Sequence, residues 1–121
     1  MWSDISKGVR GIVPTPRVAH GFAAVNGKLY SHGGFNSGMI HGICPHSHDL
    51  IECFCAVGIL DELLMLDPRT LHWTQVTNSS HGKAPSPRFG HGFCAAGGRL
   101  YVHGGQSTTG ELHPKNSVAA L

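Results

Sequence analysis

The chain has 121 residues, 40% hydrophobic and 13% charged, which suits one ordinary folded domain and argues against intrinsic disorder. Its formal net charge of +2 is too small to point to nucleic acid or an anionic membrane surface. No apolar run approaches the ~18 residues of a membrane span, residues 1–7 lack an apolar secretory core, and four cysteines are too few for a disulfide-dense scaffold. A cytoplasmic location is therefore expected.

Residues 15–34 return as residues 86–105 at an offset of 71, with 12 of the 20 aligned positions identical. Repetition of this kind marks units that stack to bury their faces. In chain order, Trp2 to Ile5 matches Trp73 to Val76 at the same offset and reads as the last strand of a preceding unit. After Pro16 and Arg17, residues 20–25 read as a first strand and 28–32 as a second. Asn26-Gly27 joins them, and this pair suits a type I′ turn, which needs φ > 0 at both central residues. Gly97-Gly98 meets the same demand in the second copy. Gly33-Gly34 and Gly104-Gly105 end the second strands and permit close backbone approach. Residues 62–66 read as a third strand, because Pro68 cuts a helix over 59–66 to barely two turns. Asp67-Pro68-Arg69-Thr70 reads as a tight turn and residues 73–76 as a fourth strand. Residues 107–121 show neither an Asp-Leu strand nor a tryptophan.

The ordered series Arg17, His20, Leu29, Tyr30, Gly33, Gly34, Glu62, Leu63, Leu66, Asp67, Thr70, Trp73 resembles the kelch repeat of β-propellers. It begins again at Arg88, His91, Leu100, Tyr101, Gly104 and Gly105. The resemblance implies an all-β, kelch-type propeller segment of four-stranded antiparallel blades, too short to close alone. Residues 1–5 would end one blade, and 14–76 would form a complete one with a long loop at 35–60. Residues 85–105 would start the next blade, and 106–121 would be an irregular tail. The glycines, Tyr30, Tyr101 and Trp73 would serve blade packing, with the aromatics supplying large buried areas. Recurrence at matching places assigns Arg17, Arg88, His20 and His91 to structure in preference to catalysis.

An offset of 71 exceeds the roughly 50 residues of a kelch repeat, and the surplus lies between Gly34 and Asp61. It holds Cys44, His46, His48, Cys53 and Cys55, a ligand set that zinc favours. The spacing is tighter than in structural zinc folds. A plain surface loop, or a segment over residues 37–58 that is not native coding sequence, are the alternatives, and no cofactor is expected. Alternating connections put the 34–61 insertion on the same rim as residues 6–14 and 77–85. The resemblance implies a protein-protein interaction module, a scaffold or adaptor acting through these rim loops. Its partners would be an unidentified protein together with further blades or a second copy, with neither nucleic acid nor membrane. A metal-dependent enzyme is the alternative, since galactose oxidase has a kelch-like propeller; yet Tyr30 and Tyr101, the only tyrosines, are both repeat residues. A truncated, nonfunctional fragment is the third reading.

Overall fold

A computed structural model describes residues 1–36, 58–77 and 84–107, together with the backbone of 118–120. β1 (Arg10–Gly11) follows a single 3-10 turn at Ser6–Gly8. β2 (Gly21–Val25) and β3 (Lys28–His32) form an antiparallel hairpin in which Gly21 opposes His32 and Val25 opposes Lys28. Asn26 and Gly27 have φ of 50° and 72°, the paired left-handed geometry of a type I′ turn. β4 (Phe35–Asn36) pairs with β5 (Gly58–Ile59) in a two-stranded ribbon. β6 (Leu63–Asp67) adds antiparallel to β3, and β7 (His72–Gln75) adds antiparallel to β6. The first sheet therefore runs β1-β7-β6-β3-β2. β8 (Gly92–Ala96) and β9 (Arg99–His103) repeat the hairpin, with Gly97 and Gly98 at φ 55° and 76°. β10 (Val118–Ala120) completes a second sheet in the order β10-β9-β8. The architecture is all-β, and the sheets do not close into a ring.

Four details depart from the sequence-based expectation. Residues 1–5 form no strand, and Trp2 is fully exposed. A last strand is held by hydrogen bonds to an inner neighbour, and no described residue offers one there. The outer edge of the first sheet is instead taken by β1, parallel to β7, with Arg10 beside His72 and Gly11 beside Trp73. The segment 106–121, expected to be irregular, contributes β10. Val118, Ala119 and Ala120 oppose His103, Val102 and Tyr101, as Leu63, Leu64 and Met65 oppose His32, Ser31 and Tyr30 one repeat earlier. The outer edge of β9 offers a row of N–H and C=O groups, so an extended apolar segment reaching it gains a ladder without any motif.

The long connection at 35–60 is closed at its base by the β4/β5 ribbon. Val18 and Phe35 also exchange backbone hydrogen bonds of 2.9 Å each, a bridge that Phe89 and Gln106 repeat. Gly34 lies 29 residues before Leu63, whereas Gly105 lies 13 before Val118, so the surplus length sits in the first copy. The turn after β6 is one residue longer than expected. Leu71 N–H donates to the Asp67 carbonyl at 2.8 Å with Leu71 at φ 54°, and Arg69 N–H donates to Asp67 Oδ1 at 2.9 Å.

The hydrophobic core of the described residues comprises Leu60, Leu63, Leu64, Leu66, Leu100 and Val102. Three of these come from β6, the middle strand of the first sheet, flanked by β7 and β3. Directly opposed residues share a face, so Gly21, His32 and Leu63 form one row, while Phe22, Ser31 and Leu64 form the row behind it. Tyr30 and Trp73, expected to supply large buried areas, are only half-buried. They stand opposite Met65 and Leu66 respectively, and the leucines carry the deeper burial.

Candidate functional site

The arginine of each repeat is held by the same three groups. Arg17 Nη1 donates to the Gly33 carbonyl at 3.1 Å, Nε to the Thr15 carbonyl at 3.1 Å and Nη2 to Thr15 Oγ1 at 3.3 Å. Arg88 makes the matching bonds to Gly104, the Ser86 carbonyl and Ser86 Oγ at 2.9, 3.2 and 3.3 Å. The planar guanidinium suits this work because it presents several donors in one rigid fork. Arg17 Nη2 further pairs with Glu62 Oε2 at 2.9 Å. Each arginine thereby ties the segment before the first strand to the glycine that ends the second.

The Arg88–His91 motif also builds the contact between the two sheets. Arg88 N–H donates to the Leu60 carbonyl at 3.1 Å and the Arg88 carbonyl accepts from Gly34 N–H at 2.9 Å, while Gly90 N–H donates to the Ala19 carbonyl at 2.9 Å. Glycine is needed on the receiving side. A Cβ on Gly33 would stand 2.6 Å from the Arg88 carbonyl oxygen, and one on Gly21 would stand 2.4 Å from Phe93 Cβ. The Phe35 and Phe89 rings meet at 5.9 Å, bringing the base of the β4/β5 ribbon into the same contact.

Within this contact His32 Nδ1 lies 3.2 Å from His91 Nε2, so one nitrogen donates and the other accepts. His32 is 2% exposed and stacks on Phe93 at 5.8 Å. Burial first, then His91 and the cations of Arg88 and Arg17, push the His32 imidazole down to about 3. It is therefore neutral at physiological pH. The sequence assigned His91 to structure but did not pair it with His32 across the repeats. The signal was present, since a histidine recurs at both motif positions; an offset, however, identifies equivalent residues without saying which ones face each other.

The remaining repeat residues make no described hydrogen bond across this contact. Lys28 Nζ approaches Asp67 Oδ2 at 2.5 Å, and the bond from Lys28 holds the Asp67 carboxyl below the usual carboxylate range. Leu63 is buried in β6, Tyr101 is half-buried in β9 and His20 is exposed. The zinc candidates Cys44, His46, His48, Cys53 and Cys55 lie outside the described residues. Among the described residues no group of three or more His, Cys, Asp or Glu side chains comes together. Cys94 is a free, exposed thiol. No helix among the described residues is long and apolar enough to cross a membrane.

Two successive sheets of one motif, docked through an arginine segment onto paired glycines, define a kelch-type β-propeller segment. The whole chain, residues 1–121, matches the KLHDC2/KLHL20/DRC7 Kelch-repeats domain, and it belongs to that family. It is similar to the Rab9 effector protein with kelch motifs of Bos taurus, 37% identical over 99 residues. That match covers 80% of this chain and 22% of the relative. The Homo sapiens protein of the same name is 35% identical over 94 residues, covering 76% and 20% of the two chains. A probable serine/threonine-protein kinase of Dictyostelium discoideum is 31% identical over 96 residues, covering 79% of this chain and 6% of that one. The chain thus spans about a fifth of the length of the Rab9 effector relatives it matches.

Proposed function

We propose that this chain is a protein-binding part of a kelch propeller, with residues 14–76 as one blade, and that it meets its partner on the rim carrying the β4/β5 ribbon. The observation that carries this reading is the exposure of Ile12 and Val13, 56% and 53%. β1 runs parallel to β7, so it delivers these two residues to the end of the sheet where β3 leaves for the ribbon and β7 leaves for β8. The opposite end carries the tight turns at 26–27 and 68–71 and also residues 1–9, where Gly8 adjoins Leu71 and Trp2 and Ile5 are exposed. Of residues 6–14, therefore, only those after β1 reach the rim of the ribbon. Apolar side chains left in water on a rigid scaffold, beside long connections, are the usual makings of a partner surface. Rab9 is the first bait, because relatives carry it in their name.

Site-specific photo-crosslinkers test the reading. One is placed at Val13 and one at Arg69, on the opposite rim, and the chain is incubated with Rab9 bound to a GTP analogue and with cell lysate. Adducts are expected at Val13 and not at Arg69, and Ile12→Asp with Val13→Asp is expected to weaken capture at least tenfold. Adducts concentrated at Arg69, or capture unchanged by the double substitution, would overturn it.

A further inference from the structure

The contact between the two sheets is asymmetric, and both of its halves recur on opposite outer faces of the chain. Inside the molecule, β2 offers Gly21, Ala23 and Val25, and β8 lays Phe93 and Ala95 against them. The opposite face of β2 presents Phe22 and Ala24 to solvent; these are the counterparts of Phe93 and Ala95. The opposite face of β8 presents Gly92, Cys94 and Ala96, the counterparts of Gly21, Ala23 and Val25. Phe22 is 53% exposed, which is unusual for a phenylalanine in the middle of a strand. A Cβ on Gly33 would meet Arg88, His91 and Leu60, whereas one on Gly104 would meet nothing within 4 Å among the described residues. The same holds for Gly21, closed by Phe93, and Gly92, whose nearest neighbour is the carbonyl of His103 at 3.6 Å.

We infer that a second copy of this chain docks head to tail, its Phe22 face seated on the Gly92 face of the first. The internal interface argues for this occupant, because the two outer faces repeat its halves residue by residue: phenylalanine onto glycine, alanine onto a small side chain. In the assembled contact Arg17 and His20 of one copy take the places of Arg88 and His91, and Gly104 and Gly105 of the other take those of Gly33 and Gly34. An interface whose two halves differ closes into a ring when the rotation allows it. Each copy brings two sheets, so two to four copies would supply the roughly four to eight blades of closed propellers. The inference concerns the sheet faces and is independent of the rim reading.

Capping variants test it. Phe22→Asp removes the protruding half and leaves the Gly92 face intact. Gly92→Leu blocks the receiving half and leaves the Phe22 face intact; Gly92 does not have a left-handed φ, so the chain tolerates a side chain there. Ala24→Arg and Ala96→Arg are the second pair, used if either first variant fails to fold. Sedimentation velocity is expected to show concentration-dependent assembly of the unaltered chain and monomers for each variant alone. An equimolar mixture of Phe22→Asp with Gly92→Leu is expected to form a dimer and stop there. Site-resolved alkylation of Cys94 is expected to slow at least fivefold as the unaltered chain assembles. A monomeric unaltered chain, variants that assemble as it does, or a mixture that stays monomeric would each overturn the inference.

Discussion

β2 and β8 are equivalent by sequence, yet they bury alternate residues in opposite phase. β2 covers Gly21, Ala23 and Val25 and exposes Phe22 and Ala24; β8 covers Phe93 and Ala95 and exposes Gly92, Cys94 and Ala96. Composition does not explain this, because the phenylalanine is the exposed partner in one strand and the covered partner in the other. What differs is the side on which the neighbouring sheet sits. β2 is followed by a sheet and β8 is preceded by one, so each strand is covered on one face. The lesson extends to His32 and His103, buried and exposed at equivalent positions, and to Gly33 and Gly104. Burial in a repeat belongs to the interface and not to the repeat unit, which is why stability in such folds divides into unit and neighbour terms.

Substitutions at equivalent positions sharpen the comparison. The largest effect is expected at Gly33, where φ is +62° and an added Cβ would stand 2.6 Å from a backbone oxygen of the other sheet. Gly33→Ala is expected to cost about 3 kcal/mol or more in urea unfolding, combining left-handed strain with overpacking. In the monomer, Gly104→Ala meets only the strain of its φ of +70°, about 1 kcal/mol. Equal costs at the two sites would break the comparison.

Acid titration of stability comes next. Above the ordinary histidine value of about 6.5, His32 is neutral in folded and unfolded chains alike and contributes no pH dependence. Below it the unfolded chain takes up a proton that the folded chain refuses until about 3. Stability therefore falls as pH falls through this window, by up to about 1.4 kcal/mol per unit for this one proton. The groups facing the imidazole are His91, which shares its hydrogen bond, and Arg88 and Arg17, which stay charged and oppose its protonation. His32→Phe is expected to flatten the slope and His103→Phe to leave it, as read by urea unfolding at stepped pH. A slope unchanged by His32→Phe would contradict the buried pair.

Smaller effects are expected at the arginine and at the surface pair. Arg17→Lys keeps the charge but cannot reach Gly33, Thr15 and Glu62 together, and about 1–2 kcal/mol is expected to be lost. Asp67→Asn removes the half-buried pairing with Lys28 at the turn end of β3 and β6. Its shift in Tm is expected to be the smallest of the set and to vanish at high salt, since ion pairs within reach of solvent contribute little.

The hairpins were legible because their information is local. Asn26-Gly27 and Gly97-Gly98 name their own turn type, and the strand at 28–32 has the bounds read from the sequence. Local residues also announce β6 and β7 to within a residue or two. β10 was not legible, because Val118–Ala120 is a strand by virtue of the β9 edge beside it and carries no pattern of its own. The strand read at residues 2–5 failed for the converse reason, a matching sequence without a neighbour to pair with. The contact between sheets was legible in its ingredients, the arginine motif, the glycine pairs and the recurring histidines. Its pairing, His91 and Phe93 against His32 and Gly21, depends on how one repeat is turned against the next, which spacing along the chain does not encode.

The most direct measurement compares Gly21→Ala with Gly92→Ala, two equivalent glycines that do not have the left-handed φ. An added Cβ stands 2.4 Å from Phe93 at the first site and 3.6 Å from its nearest neighbour at the second. Urea unfolding is expected to show a loss of about 1–3 kcal/mol for Gly21→Ala. Gly92→Ala is expected to be neutral or slightly stabilising, because glycine weakens the interior of a strand. Measured in the Phe22→Asp background, which holds the chain monomeric, equal losses at both sites, or the larger loss at Gly92, would contradict a single chain in which only the first repeat is covered on its glycine face.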